Sequence, residues 1–101
     1  MLDLQTITHE DFAACLNQPF KIPDRDKSML IVQLVEAEPR GSFDPEMQTR
    51  QPFSLLFRGP PEPLLPQGLY RMNHRQLGDL ELFLVPIGPD RQGMRYEAVF
   101  T

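Results

Sequence analysis

Two histidines, one cysteine and the carboxylates near them are the side chains of this chain equipped for proton transfer, nucleophilic attack or metal ligation. His9, Glu10, Asp11 and Cys15 lie close together, as a metal site or an activated thiol would need. Their spacing opposes that reading. A ligand pair on a helix needs a separation of three or four, and His9 and Cys15, six apart, fall on different faces. The acids suit the positive end of a helix dipole instead, and Cys15 reads as a small buried hydrophobe. The second group, His74 with Arg75 and Asp79, flanks a turn running from Asn73 to Gly78. A histidine beside a carboxylate is general-base equipment, but the sequence ties no serine or cysteine nucleophile to it. Turn chemistry accounts for the segment, with Gly78 at positive φ and Asp79 opening the next strand. No catalytic residue, metal-ligand set or cofactor is therefore assigned, and the glycine spacing of phosphate-binding fingerprints is missing.

Arg58, Arg71 and Arg95 occur once per candidate strand and can align across a sheet with Glu81 and Glu97. Such pairing ordinarily makes a solvated face of weak ion pairs. With tyrosines beside them, the same residues could instead form a recognition surface for an anionic or planar ligand. The ligand-binding candidates are Tyr70, Arg71, Arg95 and Tyr96, in a pocket at the sheet mouth.

The elements that position these residues follow from periodicity and punctuation. Thr8 is placed to cap a helix, Asp11 to reach back in a capping-box variant, and Ile7 with Phe12 to form a hydrophobic staple. The expected helix covers about residues 9–16, with Phe12, Cys15 and Leu16 on one face and Asn17 and Pro19 as its stop. Phe20–Ile22 is a candidate short strand, followed by a charged turn over Pro23–Lys27. Two-residue alternation and β-branched content then predict strands at about 29–37, 53–58, 69–74, 80–87 and 94–100, with 39–51 as the longest loop. The gaps are too short for crossover helices, which points to an antiparallel arrangement. Prolines at 60–66 make a stiff connection. The run at 80–87 is apolar on both faces from Leu82 onward. Its second face, Phe83, Val85 and Ile87, must meet the helix, the other side of a barrel, or another subunit.

With 101 residues and 41% hydrophobic content, the chain can build one core, in a single domain spanning 1–101. A net charge of −4 opposes nucleic acid as a partner, because phosphate binding needs clustered Lys and Arg. The acidic excess lies in residues 1–50, with 9 acidic and 5 basic side chains against 5 of each in 51–101. The chain has no apolar run long enough to span a bilayer, no signal-like start and no second cysteine. Cytoplasmic residence, with no membrane partner, is expected. A protein partner is compatible with the pattern, and the oligomeric state is open.

Several runs also carry a family resemblance. Pro52-Phe53-Ser54-Leu55-Leu56-Phe57-Arg58-Gly59, Leu65-Pro66-Gln67-Gly68-Leu69-Tyr70, Glu81-Leu82-Phe83-Leu84-Val85-Pro86-Ile87-Gly88 and Met94-Arg95-Tyr96-Glu97-Ala98-Val99-Phe100 resemble a family of short bacterial proteins catalogued as a domain of unknown function. Thr8-His9-Glu10-Asp11-Phe12 is similar to that family's opening, and residues 36–50 match least. The resemblance implies a compact bacterial β-rich domain, brings no catalytic residues, and points toward an accessory role beside phage-tail-like genes. The expected fold is α+β: a mostly antiparallel five- or six-stranded sheet curling toward a small barrel, with one N-terminal helix. The expected function is a non-enzymatic interaction or structural accessory module; the alternative is a small-ligand binder.

Overall fold

The computed structural model describes residues 3–23, 29–48 and 50–101. Along them run a short helix, α1 (His9–Ala13), and six strands: β1 (Pro19–Pro23), β2 (Met29–Pro39), β3 (Phe53–Gly59), β4 (Gly68–His74), β5 (Gly78–Asp90) and β6 (Gly93–Phe100). Every pairing is antiparallel, and the sheet closes on itself in the order β1-β2-β3-β6-β5-β4. The expected curling sheet is thus a closed barrel of six strands, with Phe20–Ile22 inside β1. Of the charged turn read at Pro23–Lys27, residues 24–27 lie outside the described residues.

Alternation sorts each strand into an inner and an outer row. Phe53, Leu55 and Phe57 of β3, Leu80, Leu82 and Leu84 of β5, and Tyr96, Ala98 and Phe100 of β6 are buried. Six strands enclose a space that side chains fill. Here aromatic rings do much of the filling: Phe53 stacks on Phe100 at 4.6 Å, and Phe20 meets Phe57 edge-on at 5.2 Å.

Strict alternation fails where it would bury the wrong residue. In β2 it would turn Glu36 inward after Val32 and Leu34, but a register shift between Leu34 and Glu36 leaves Val35 as an extra residue. Glu36 stays in water and Ala37 is buried in its place. A second shift, between Pro86 and Gly88 in β5, leaves Ile87 extra, with Gly88 at φ +105 accommodating the bend.

The helix begins as expected. Asp11 N–H donates to Thr8 Oγ1 at 3.4 Å and Thr8 N–H donates to Asp11 Oδ2 at 2.9 Å, while the staple residues Ile7 and Phe12 are buried. It ends at Ala13 rather than near residue 16. Cys15 and Leu16 N–H groups bond three residues back, to Phe12 and Ala13, tightening the chain into turns. Asn17 at φ +67 then donates its N–H to Leu34 O at 2.7 Å, so pairing with β2 overrides helix growth. Leu16 consequently leaves the face it was expected to share with Phe12 and Cys15 and is exposed.

Both barrel ends are covered. Where β3 begins and β6 finishes, Phe12 of α1 packs on Phe53 and Phe100. Arg50 lies over those two rings and donates to the carbonyls of Leu4, Ile7 and Thr101. At the other end, the link 60–67 joins β3 to β4. These strands stand on opposite sides of the ring, so the link crosses the mouth. Leu65 N–H donates to Tyr96 Oη at 3.0 Å, and Tyr70 O–H donates to Pro66 O.

This arrangement resolves part of the expectation for β5. Neither the helix nor the far wall of the barrel covers its second face, because Leu80, Leu82 and Leu84 line the interior while Phe83 and Ile87 face water.

Candidate functional site

Two features stand out, a cleft at the mouth and an uncovered apolar strip on the wall. The barrel closes where β1 and β4 share a single backbone pair, Lys21 with Asn73. Pro23, farther along β1, has no N–H to give the ladder. A cleft of about 320 Å³ lies at this seam, lined by Ile22 and Pro23 of β1, Leu30 of β2, Pro63 and Leu65 of the link, and Leu69, Tyr70 and Arg71 of β4.

Of the four residues expected to bind a ligand, the fold brings Tyr70 and Arg71 to this cleft. Tyr96 stands behind its wall: the ring is buried in the barrel and its hydroxyl holds Leu65. Burial, then the neighbouring Tyr96, pushes the Tyr70 phenol above its ordinary pKa. Arg95 goes elsewhere. It alternates with Tyr96 and so points outward from β6, and β5 separates it from β4; its Nε donates to Gly88 O at 3.3 Å. The sequence did not mark Ile22, Leu30 or Leu65 as lining residues. They come from three segments that only the strand pairing and the crossing link bring together.

The arginine row is also distributed differently from a simple ladder with Glu81 and Glu97. Arg71 stands opposite Glu81, but Arg58 stands opposite Arg95. Arg58 turns instead to Asp90, donating through Nε at 3.0 Å and through Nη2. That guanidinium, followed by the Gln92 N–H, holds the Asp90 carboxyl below its ordinary pKa. Glu97 meets Arg40 at 3.7 Å, an exposed pair of little energetic weight.

The histidines and the cysteine serve the framework. His74 is 1% exposed, its Nδ1 accepts from the Gln76 and Leu77 N–H groups, and its Nε2–H donates to Gln18 Oε1 at 2.6 Å. It therefore shapes the β4–β5 turn as a neutral ring. Burial, then nearby Arg75, pushes its pKa below the ordinary histidine value. His9 Nε2 donates to Ala37 O at 2.7 Å, tying α1 to β2. Cys15 is buried, and burial followed by Asp11 raises its thiol pKa, the opposite of what a nucleophile requires. Among the described residues, no three His, Cys, Asp or Glu side chains converge as a metal site would need.

The second feature is on the outer wall. Leu69 of β4 stands directly opposite Phe83 of β5, and Val99 of the adjoining strand β6 borders the same shallow depression. They are 65%, 48% and 53% exposed. Single exposed apolar residues are ordinary, but three bordering one depression on neighbouring strands form a patch. The Arg71–Glu81 pair flanks it on one side. No sequence pattern showed this alignment, since Leu69 and Val99 each sit as the outward member of an alternating strand.

A family model described as Domain of unknown function (DUF6916) matches residues 7–100, and the chain belongs to that family. No curated protein and no solved structure matches the chain. No helix among the described residues is long and apolar enough to cross a membrane.

Proposed function

We propose that this domain is a non-enzymatic, cytoplasmic interaction module that docks a protein partner on the outer face of β4, β5 and β6. The observation that carries this reading is the exposed apolar strip of Leu69, its register partner Phe83, and Val99 bordering the same depression, left in water by a barrel whose own interior is already filled. An apolar core with a charged rim is the anatomy of a protein interface, and here Arg71 and Glu81 supply the rim. Closure of the sheet also favours docking by a face, because the strands leave few free edges for strand addition. The roles found for His9, His74 and Cys15 are structural, which supports a binding role over catalysis. An accessory part in a phage-tail-like assembly, as the family resemblance implies, is one setting for such docking.

The test is a Phe83→Asp variant. Because Phe83 is on the outer wall, the variant should melt within a few degrees of the unsubstituted protein. It should lose the partner that co-purifies stoichiometrically with the unsubstituted chain from the cells that encode it. Equal recovery of that partner by both proteins would refute the reading.

A further inference from the structure

We infer that the mouth cleft is a binding site for a small carboxylate with an apolar body, of the size of a medium-chain fatty acid or an aryl-alkanoate. The site adjoins the docking face along β4, where Leu69 borders both: it lies at the β1–β4 seam under the link, whereas Phe83 and Val99 of the docking row lie outside it.

Four observations support the assignment. The volume, about 320 Å³, falls at the small end of the range that holds small molecules. The lining is largely aliphatic, with Ile22, Leu30 and Leu65 from three different segments, which suits an alkyl or aryl body. One wall is fixed in advance. The link that provides Leu65 is stiffened by prolines, and both tyrosine hydroxyls are spent holding it, Tyr96 on Leu65 N–H and Tyr70 on Pro66 O. A wall already ordered removes much of the entropic cost of binding.

The fourth observation selects the head group. Arg71 is the one charged side chain among the described lining residues, and its guanidinium presents the planar fork that a carboxylate matches. Glu81 stands opposite Arg71 on β5 and competes for it, yet the two form no salt bridge. A cationic head would meet Arg71 with like charge and be rejected. Because Arg71 is exposed, the carboxylate would sit at the water's edge with its apolar body inward.

Sodium octanoate and octylammonium chloride, equal in chain length and opposite in charge, test the assignment by amide NMR titration and thermal shift. Octanoate should raise the melting temperature and perturb Leu30, Leu65 and Tyr70. Octylammonium should bind about tenfold more weakly, the weight of one partly exposed charge-assisted pair. Arg71→Gln should abolish the difference, and Glu81→Gln should strengthen octanoate binding. Phe83→Asp should leave octanoate binding unchanged, so a failure here is distinguishable from a failure of the docking face. The inference is overturned if octanoate leaves the cleft residues unperturbed at millimolar concentration, if the two heads bind alike, if Arg71→Gln changes nothing, or if the perturbations centre on Phe83 and Val99.

Discussion

Replacing Gly93 by alanine should remove a large part of this domain's stability, whereas the same change at Gly68 should not. Gly93 opens β6 at φ +150, and a Cβ built there would fall 3.3 Å from the Gly59 carbonyl carbon and closer still to its oxygen. The obstacle is backbone. Gly59 pairs with Met94 and Gly93 pairs with Asp90, so relief means prising β3 from β6 where both are held in the ring. Forcing a side chain into that conformation costs about 1–3 kcal/mol, and crowding a well-packed contact costs about another 1–3 kcal/mol. Alanine returns about 0.4–1 kcal/mol by restricting the unfolded chain. The net loss is about 1–5.6 kcal/mol, against a typical domain stability of about 5–15 kcal/mol. Gly68 has no positive φ and nothing within 4 Å of its notional Cβ, so Gly68→Ala should be neutral or slightly stabilising. Urea melts of the three proteins at neutral pH measure both effects. A Gly93→Ala protein within about 0.5 kcal/mol of the parent, the scatter expected of innocuous surface changes, would refute the close approach of β3 and β6.

Three further predictions follow from named contacts. His74 folds as a neutral ring with its pKa lowered, so it contributes stability that is full above histidine's ordinary value near 6.5 and is lost as pH falls toward and through the lowered value; melts between about pH 7.5 and 5.5, above the carboxylate range, should show this slope, and His74→Gln should flatten it. Deleting residues 96–101 removes buried Tyr96, Ala98 and Phe100 and opens the ring between β3 and β5, so the product should not melt cooperatively, and a cooperative transition would contradict the strand assignment. Cys15, buried with a raised pKa, should react with a thiol reagent only at the rate of opening, and become fully reactive in denaturant; rapid labelling of the native protein would contradict its burial.

Much of the barrel was legible because it depends on local rules. The Thr8–Asp11 capping box, the inward rows of β3 and β6, and the positive φ of Gly78 all follow from short-range pattern and turn chemistry. What was hidden depends on distance along the chain. The bulge at Val35 answers the need to keep Glu36 in water, which appears only once β2 is paired with β3. Helix α1 stops early because Asn17 finds Leu34 O, a partner that no helix propensity contains. The same limit applied to the candidate site. Tyr70 and Arg71 were legible as neighbours on one strand. Alternation already set Arg95 outward and Tyr96 inward on β6, but that β5 lies between Arg95 and β4 required the strand order. The aliphatic lining came from the link crossing the mouth, a consequence of β3 and β4 standing on opposite sides of the ring.

A filled barrel is rigid, and it offers a partner a fixed surface on β4, β5 and β6 that needs little ordering on contact. The mouth, bounded by a strapped link, offers a fixed cleft instead. Strand β4 serves both, with Leu69 at the border of face and cleft and Tyr70 and Arg71 in the cleft.

Site-specific photo-crosslinking inside the cells that encode the chain tests the docking face most directly. A photoreactive residue in place of Phe83 should yield a discrete adduct with one protein, while the same residue in place of Glu36, exposed on the opposite wall, should yield none. No adduct at position 83, or the same adduct at both positions, would contradict the account.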